Sequence, residues 1–257
     1  MSTAPTVPAY LLHAPFLTLE HPSTADRPAT PSTLLQRTLP PAPLYYLHPA
    51  PPTPPGSAPP VLSISPTPPV KGRASTVYRA TTPSGAKVVV KYGHDLLAAA
   101  READEVFVNL PGGGGLPIPT FWGIFEGNVE PDQPRSLVMV LEDCGEPIEG
   151  GFQSLSKDER RKLYNALDAF HSIHFQHGSF SPSSIVAQPL PPSSTSTSPS
   201  DVKENRKLTI VGYSQAEWHL CPGPHECKEL VEARRALGLR EEDVAMEQQP
   251  ASASETD

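Results

Sequence analysis

Cysteine is scarce in this chain, and long basic runs and long apolar runs are missing. Its three cysteines, Cys144, Cys221 and Cys227, are too few for a disulfide scaffold and fit a reducing compartment. No stretch of five or more basic residues occurs, and the formal net charge is −8. A phosphate backbone or an anionic bilayer therefore meets no cationic footprint, and neither nucleic acid nor membrane is an expected partner. No apolar segment approaches the roughly 20 residues that cross a bilayer. The amino terminus has no basic stretch followed by an apolar one, so no signal peptide is read. These absences set the expectation of a soluble intracellular protein, cytoplasmic or nuclear.

Proline is abundant and unevenly placed. Of 34 prolines, 19 precede Val70, and a second Pro/Ser/Thr cluster surrounds Pro189–Ser200. Such segments bury too little apolar surface to offset the entropy of ordering them. Residues 1–69 are thus expected to be a disordered arm, partly polyproline II. Its run Pro49–Pro55 is suited to an aromatic-lined groove, and a solvated tail is the plainer alternative. Within the arm, Tyr10–Leu12 with Phe16–Leu19, and Leu44–Leu47, carry enough apolar residues to pack on a domain. The foldable part is expected at 70–240, interrupted by a low-complexity insert at 187–206. Residues 241–257 read as a disordered tail.

Inside the foldable part the patterns alternate between strand and helix. Thr76–Ala80 and Lys87–Lys91 flank Thr82-Pro83-Ser84-Gly85 and predict an antiparallel hairpin. Leu96–Leu110 has helical spacing and stops at Pro111 and a glycine run. Pro119–Phe125 and Ser136–Leu141 read as two further strands joined by a polar turn. Lys157–His171 is the clearest helix: Ser156 and Glu159 form a capping-box pattern, and Leu163, Leu167 and Phe170 share a face. Two short β-type runs follow, Ser184–Val186 and Leu208–Val211. Last comes a helix over Glu226–Leu237 with Gly238 as its stop.

The order of six short motifs carries a resemblance. Gly72-Arg73-Ala74-Ser75-Thr76-Val77 looks like a reduced glycine-rich loop, and a Val-Val-Val-Lys strand ends on Lys91. A helix with glutamates comes next, then Leu137–Gly145, which is similar to a strand-to-hinge segment. His177-Gly178-Ser179-Phe180-Ser181-Pro182-Ser183-Ser184-Ile185-Val186 matches the His-Gly-Asp-Leu-x-x-x-Asn-Val-Leu form of a catalytic loop. Leu208–Ser214 matches the strand and metal-binding turn that follow it. The closing His219-Leu220-Cys221 and Cys227-Lys228-Glu229-Leu230 look like the last segment of short fungal kinase-like proteins. Residues 70–240 thus resemble the protein-kinase-like superfamily. The resemblance implies an α+β fold with a small β-rich N-lobe, a truncated mainly helical C-lobe and disordered termini. Only 45 residues follow Gly212, too few for the helices that seat a peptide substrate in a full kinase.

By the same resemblance, Lys91 would hold the α- and β-phosphates and be held by Glu102, with Glu105 as the alternative partner; a solvated strand-end lysine is the plainer reading. Gly72, Val77, Glu142 and Cys144 complete the implied nucleotide-binding set. The acids are missing. Ser179 stands where the catalytic aspartate would orient the substrate hydroxyl. Ser184 replaces the metal-binding asparagine, and Gly212 replaces the metal-binding aspartate, leaving magnesium without its carboxylate. The implied function is a catalytically deficient pseudokinase that acts as a protein-binding or regulatory module, helped by the Pro-rich arm. Two alternatives stay open: an atypical kinase using non-standard residues, and a non-functional relic. ATP is the one cofactor to consider, held without magnesium.

His219-Leu220-Cys221-Pro222-Gly223-Pro224-His225-Glu226-Cys227 holds two histidines and two cysteines. Its His-x-Cys spacing departs from the usual Cys-x(2–4)-Cys of structural zinc sites. Buried cysteines beside a helix start are the expectation there, and no metal is expected. His177 is expected to be a structural histidine bonded to backbone, and Cys144 a small buried hydrophobe.

Overall fold

The computed structural model describes residues 16–20, 33–39, 61–67, 70–71, 75–93, 117–127, 136–190 and 206–245 of the chain. They form an α+β architecture in two units. One comprises residues up to 114 together with 119–143, and the other 115–118 together with 144–257.

The first unit is built from strands β1 (Phe16–Glu20), β2 (Thr33–Leu39), β3 (Val61–Ile64), β4 (Val70–Lys71), β5 (Thr76–Thr81), β6 (Lys87–Gly93), β7 (Phe121–Gly127) and β8 (Ser136–Glu142). The expected hairpin is present, with Thr76 opposite Tyr92 and Thr81 opposite Lys87. Its turn is held by Gly85 N–H donating to the Thr82 carbonyl at 2.9 Å and Ala86 N–H donating to Thr82 Oγ1 at 3.0 Å. Gly85 adopts φ 82°, which costs glycine nothing. Strands β7 and β8 also pair as expected.

The arm departs from expectation. Three of its segments, β1, β2 and β3, join the sheet in the order β3-β1-β2-β7-β8-β6-β5, and β3 pairs back to β5, so the ladder closes on itself. β4 occupies the other end of the same edge of β5. All these pairs are antiparallel except β1 with β3. Composition averaged over residues 1–69 hid the short alternating runs that do this. Leu17 and Leu19 flank Thr18, and Leu62 and Ile64 flank Ser63, so each strand aims two aliphatic side chains at one face. All four are buried with Ala80, Val88, Val90, Tyr92, Phe125, Val138 and Val140 in one core. The Pro49–Pro55 run, Tyr10–Leu12, Leu44–Leu47 and the helix expected at Leu96–Leu110 lie outside the described residues.

The second unit contains helices α1 (Lys157–Ser172), α2 (Lys228–Ala236) and α3 (Glu241–Ala245). Its strands are β9 (Glu146–Pro147), β10 (Phe175–Gln176), β11 (Ile185–Pro189), β12 (Arg206–Ile210) and β13 (Glu217–Trp218). The capping box of α1 forms as the sequence implies: Ser156 Oγ accepts Glu159 N–H at 3.2 Å, and Glu159 Oε2 accepts Ser156 N–H at 2.8 Å. The inward face of α1 buries Leu163, Tyr164, Leu167 and Phe170, with Phe170 against Phe175 and Tyr213.

Two boundaries move. β11 and β12 pair from Ile185–Ile210 out to Pro189–Arg206, so residues 187–189 and 206 belong to a ladder and not to the low-complexity insert. Residues 241–245, expected in a disordered tail, form α3. Asp243 lies buried there, its carboxylate 2.7 Å from Lys157 Nζ, and its carbonyl accepts Arg161 Nε–H at 2.8 Å. Among the described residues no helix is long and apolar enough to cross a membrane.

Arg206 anchors the strand end to the helix cap. Its Nε–H donates to Glu159 Oε1 at 2.6 Å, and its Nη2 lies 3.1 Å from Oε2. Burial alone would raise the Glu159 carboxyl, but Arg206 and the Ser156 amide outweigh it and hold the pKa below its ordinary 4.5. A depressed carboxyl contributes stability that is complete above pH 4.5 and is lost as pH falls through the folded value. Arg206→Ala is therefore expected to cost about 1.5–3 kcal/mol near neutral pH and to flatten the fall of stability below pH 4.5. Urea titrations at a series of pH values measure both effects.

Candidate functional site

The segment that resembles a catalytic loop runs from β10 to β11. His177 is 1 % exposed. Its Nε2–H donates to the Val211 carbonyl at 3.0 Å, and its Nδ1 accepts Ser179 N–H at 3.3 Å. The ring sits against Tyr213 (centroids 4.9 Å apart) and edge-on to Phe180. Burial lowers its pKa, against the opposing pull of the Val211 carbonyl and the Glu229 charge. A neutral ring with its proton on Nε2 satisfies every one of these contacts. The expected structural role of His177 is what this geometry supports.

Ser179 Oγ lies 3.4 Å from His177 Nδ1 and 3.3 Å from the Gly212 carbonyl. A nearby imidazole nitrogen was not anticipated from the sequence, but that nitrogen already accepts the Ser179 amide. Ser184 Oγ donates to the Ser181 carbonyl at 2.7 Å and accepts Ser181 N–H at 3.0 Å. Ser184 is buried, and this reciprocal pair closes the one-turn 3-10 helix Pro182–Ser184. The Ser184 carbonyl then accepts Val211 N–H at 2.8 Å, which fixes the loop to the end of β12. The Ser179 and Ser184 hydroxyls are thus both engaged in hydrogen bonds that tie this loop to itself and to Gly212.

Gly212 follows directly, with φ 86° and ψ 44°. A Cβ added there would meet only Ser184 Cβ, at 3.9 Å. Aspartate is among the few residues that enter the left-handed region readily, so this position has both the room and the backbone for one. The sequence supplies glycine.

Glu229, which the sequence shows only as part of a closing segment, is central to this loop. From the first turn of α2 it accepts His177 N–H at 2.9 Å on Oε2 and Gly178 N–H at 2.7 Å on Oε1. The same Oε2 also accepts His171 Nε2–H, at 2.8 Å, from the last turn of α1. Burial would raise its carboxyl, but His171 and the two amides hold it below the ordinary value. Only the three-dimensional packing reveals this role, because a glutamate two residues into a helix is an ordinary feature of sequence.

In the first unit, Val77 and Lys91 are cross-strand partners on β5 and β6, and Met139 of β8 faces Lys91 on its other side. Lys91 is 9 % exposed. Glu142 ends β8, and its Oε2 accepts both the amide and the hydroxyl of Thr120 at 3.1 and 2.8 Å. Cys144 is buried at the start of the second unit. Gly72, Glu102 and Glu105 lie outside the described residues.

No protein-family model matches the sequence, and no curated protein matches it. Among solved structures, that of vaccinia related kinase 3 is similar over 63% of this chain and 49% of its own, at 18% sequence identity and a TM-score of 0.39. The chain thus spans about half the length of that protein.

Proposed function

We propose that this chain is a protein-kinase-like domain without phosphoryl-transfer activity, acting as a binding or regulatory module for a protein partner. The observation that carries this reading is the state of the loop that would do the chemistry. Ser179 and Ser184 direct their hydroxyls into the loop's own hydrogen bonds, and Gly212 has no side chain to offer. Phosphoryl transfer needs an acidic group to orient the nucleophile and carboxylate or amide oxygens to hold magnesium. A serine hydroxyl spent on a backbone carbonyl does neither. Lys91 beside Val77 leaves a basis for weak nucleotide contact, and any ATP so held is held without magnesium.

Thermal-shift titration of the full chain with ATP, with and without magnesium, tests the first half. The expected result is no magnesium-dependent stabilisation and no γ-phosphate transfer to a generic acceptor. A magnesium-dependent shift, or transfer that disappears in Lys91→Ala, overturns the reading. The second half is tested with alanine at Pro51, Pro52, Pro54 and Pro55 in the full chain. A protein captured by the parent and lost by this variant supports docking through the Pro-rich arm. Equal capture by heat-unfolded chain contradicts a folded binding module.

A further inference from the structure

We propose that His171, His219, Cys221 and Cys227 form a structural zinc site, a tetrahedral centre of two imidazoles and two thiolates that ties α1 to the start of α2. His171 comes from the last turn of α1, and the other three lie on the connection from β13 to α2. Their ligand atoms all fall within 4.8 Å of one another. Cys227 Sγ is 3.4 Å from His171 Nδ1 and 3.4 Å from His219 Nε2. Zinc–ligand lengths of about 2.0–2.3 Å require tetrahedron edges of about 3.3–3.8 Å. Two edges already have that length, and small side-chain rotations close the widest gap.

The protonation pattern points the same way. Glu229 accepts two backbone amides and is an ionised acceptor, so the proton of its bond to His171 must sit on Nε2. His171 Nδ1 then carries a lone pair aimed at Cys227. A carboxylate that fixes the far nitrogen of a ligating histidine is the usual outer-sphere arrangement of zinc–histidine sites. Without a metal, the Cys227 thiol can donate to His171 Nδ1 and accept from the Nε2–H tautomer of His219. A metal would instead take a lone pair from each of the three atoms, with both imidazoles neutral and the sulfur as thiolate. Cys227 also stands at the N-cap of α2, so the start of that helix fixes its position.

The donor set selects the metal. Two thiolates with two imidazoles suit zinc and exclude magnesium or calcium. With four protein ligands no coordination position remains for substrate, so the site is structural. The sequence misdirected attention to His225, which lies exposed outside the group. The true fourth donor is His171, 48 residues before His219. The turn that brings Cys221 and Cys227 together is set by Gly223, whose carbonyl accepts Cys227 N–H at 2.9 Å and whose φ is 115°.

The test uses the full chain, purified without chelator and without a histidine tag. Elemental analysis is expected to find one zinc per chain, released when a mercurial titrates the thiols. Cobalt exchanged into the site should show the intense d–d absorption of a tetrahedral centre and thiolate-to-cobalt charge transfer. Cys221→Ala and His171→Ala should lose the metal, while His225→Ala and Cys144→Ala keep it. Should those two variants fail to fold, the cobalt spectrum of the parent chain still decides the matter. A parent chain that carries no zinc and gives no tetrahedral cobalt spectrum overturns the proposal. Full zinc content in folded Cys221→Ala or His171→Ala overturns it equally.

Discussion

Glu229→Ala is expected to lower the unfolding free energy by about 3–5 kcal/mol, in the range observed when one partner of a buried charged network is removed. The carboxylate has 14 % of its side chain exposed and accepts three hydrogen bonds. Alanine leaves the His177 and Gly178 amides and His171 Nε2–H without their acceptor, and orphaned donors in such a place cost about 1–3 kcal/mol each before relaxation. Glu229→Gln keeps the shape and one acceptor oxygen, so its loss should be smaller. Denaturant unfolding gives the magnitude. Hydrogen exchange gives the location, since the His177 and Gly178 amides should lose protection before the amides of α1. A cost below about 1 kcal/mol with protection unchanged would show that the loop is held by other contacts.

How much of this could be seen in the sequence depends on the distance over which each feature is decided. The α1 capping box is settled by two residues three positions apart, Ser156 and Glu159, and it forms as the letters imply. The β5–β6 hairpin is likewise local, because Thr82 and Gly85 build its turn from within. The strand β1 was only half legible. Its alternation is visible at Leu17 and Leu19, but whether five residues in a proline-rich arm form a strand depends on edges offered by β2 and β3. The far ends of β11 and β12 show the same dependence. Pro189 and Arg206 look like insert, and they pair because the ladder behind them is already in register.

At the candidate site the distinction is sharper still. Motif order singles out Ser179, Ser184 and Gly212, and these three residues lie near one another in the second unit. What the Ser179 loop rests on could not be placed in this way. Glu229 follows Gly178 by 51 residues and His171 by 58, and no spacing rule links them. Charge and burial single them out only when the backbone has brought α1, α2 and the loop together.

Gly178→Ala is the second large effect expected, because a glycine here answers to two constraints at once. Its φ of 77° is left-handed, which costs a residue with a Cβ about 1–2 kcal/mol. A Cβ at this position would also lie 2.1 Å from the carbonyl oxygen of Gln215 and 2.8 Å from its carbon. Those are backbone atoms of the turn after Gly212, so no side chain can swing aside to relieve the overlap. Either that turn moves or Gly178 withdraws, and withdrawal breaks its bond to Glu229. Overpacking of this kind adds about 1–3 kcal/mol, for a total loss of about 2–5 kcal/mol. Gly85→Ala separates the two contributions, since Gly85 has nearly the same φ, 82°, and nothing within 4 Å of its added Cβ. That variant should lose only the backbone part, about 1–2 kcal/mol. Equal losses for the two variants would place the whole effect in the left-handed backbone. A clearly larger loss at Gly178 shows instead that the loop and the turn after Gly212 are packed too closely to admit one carbon atom.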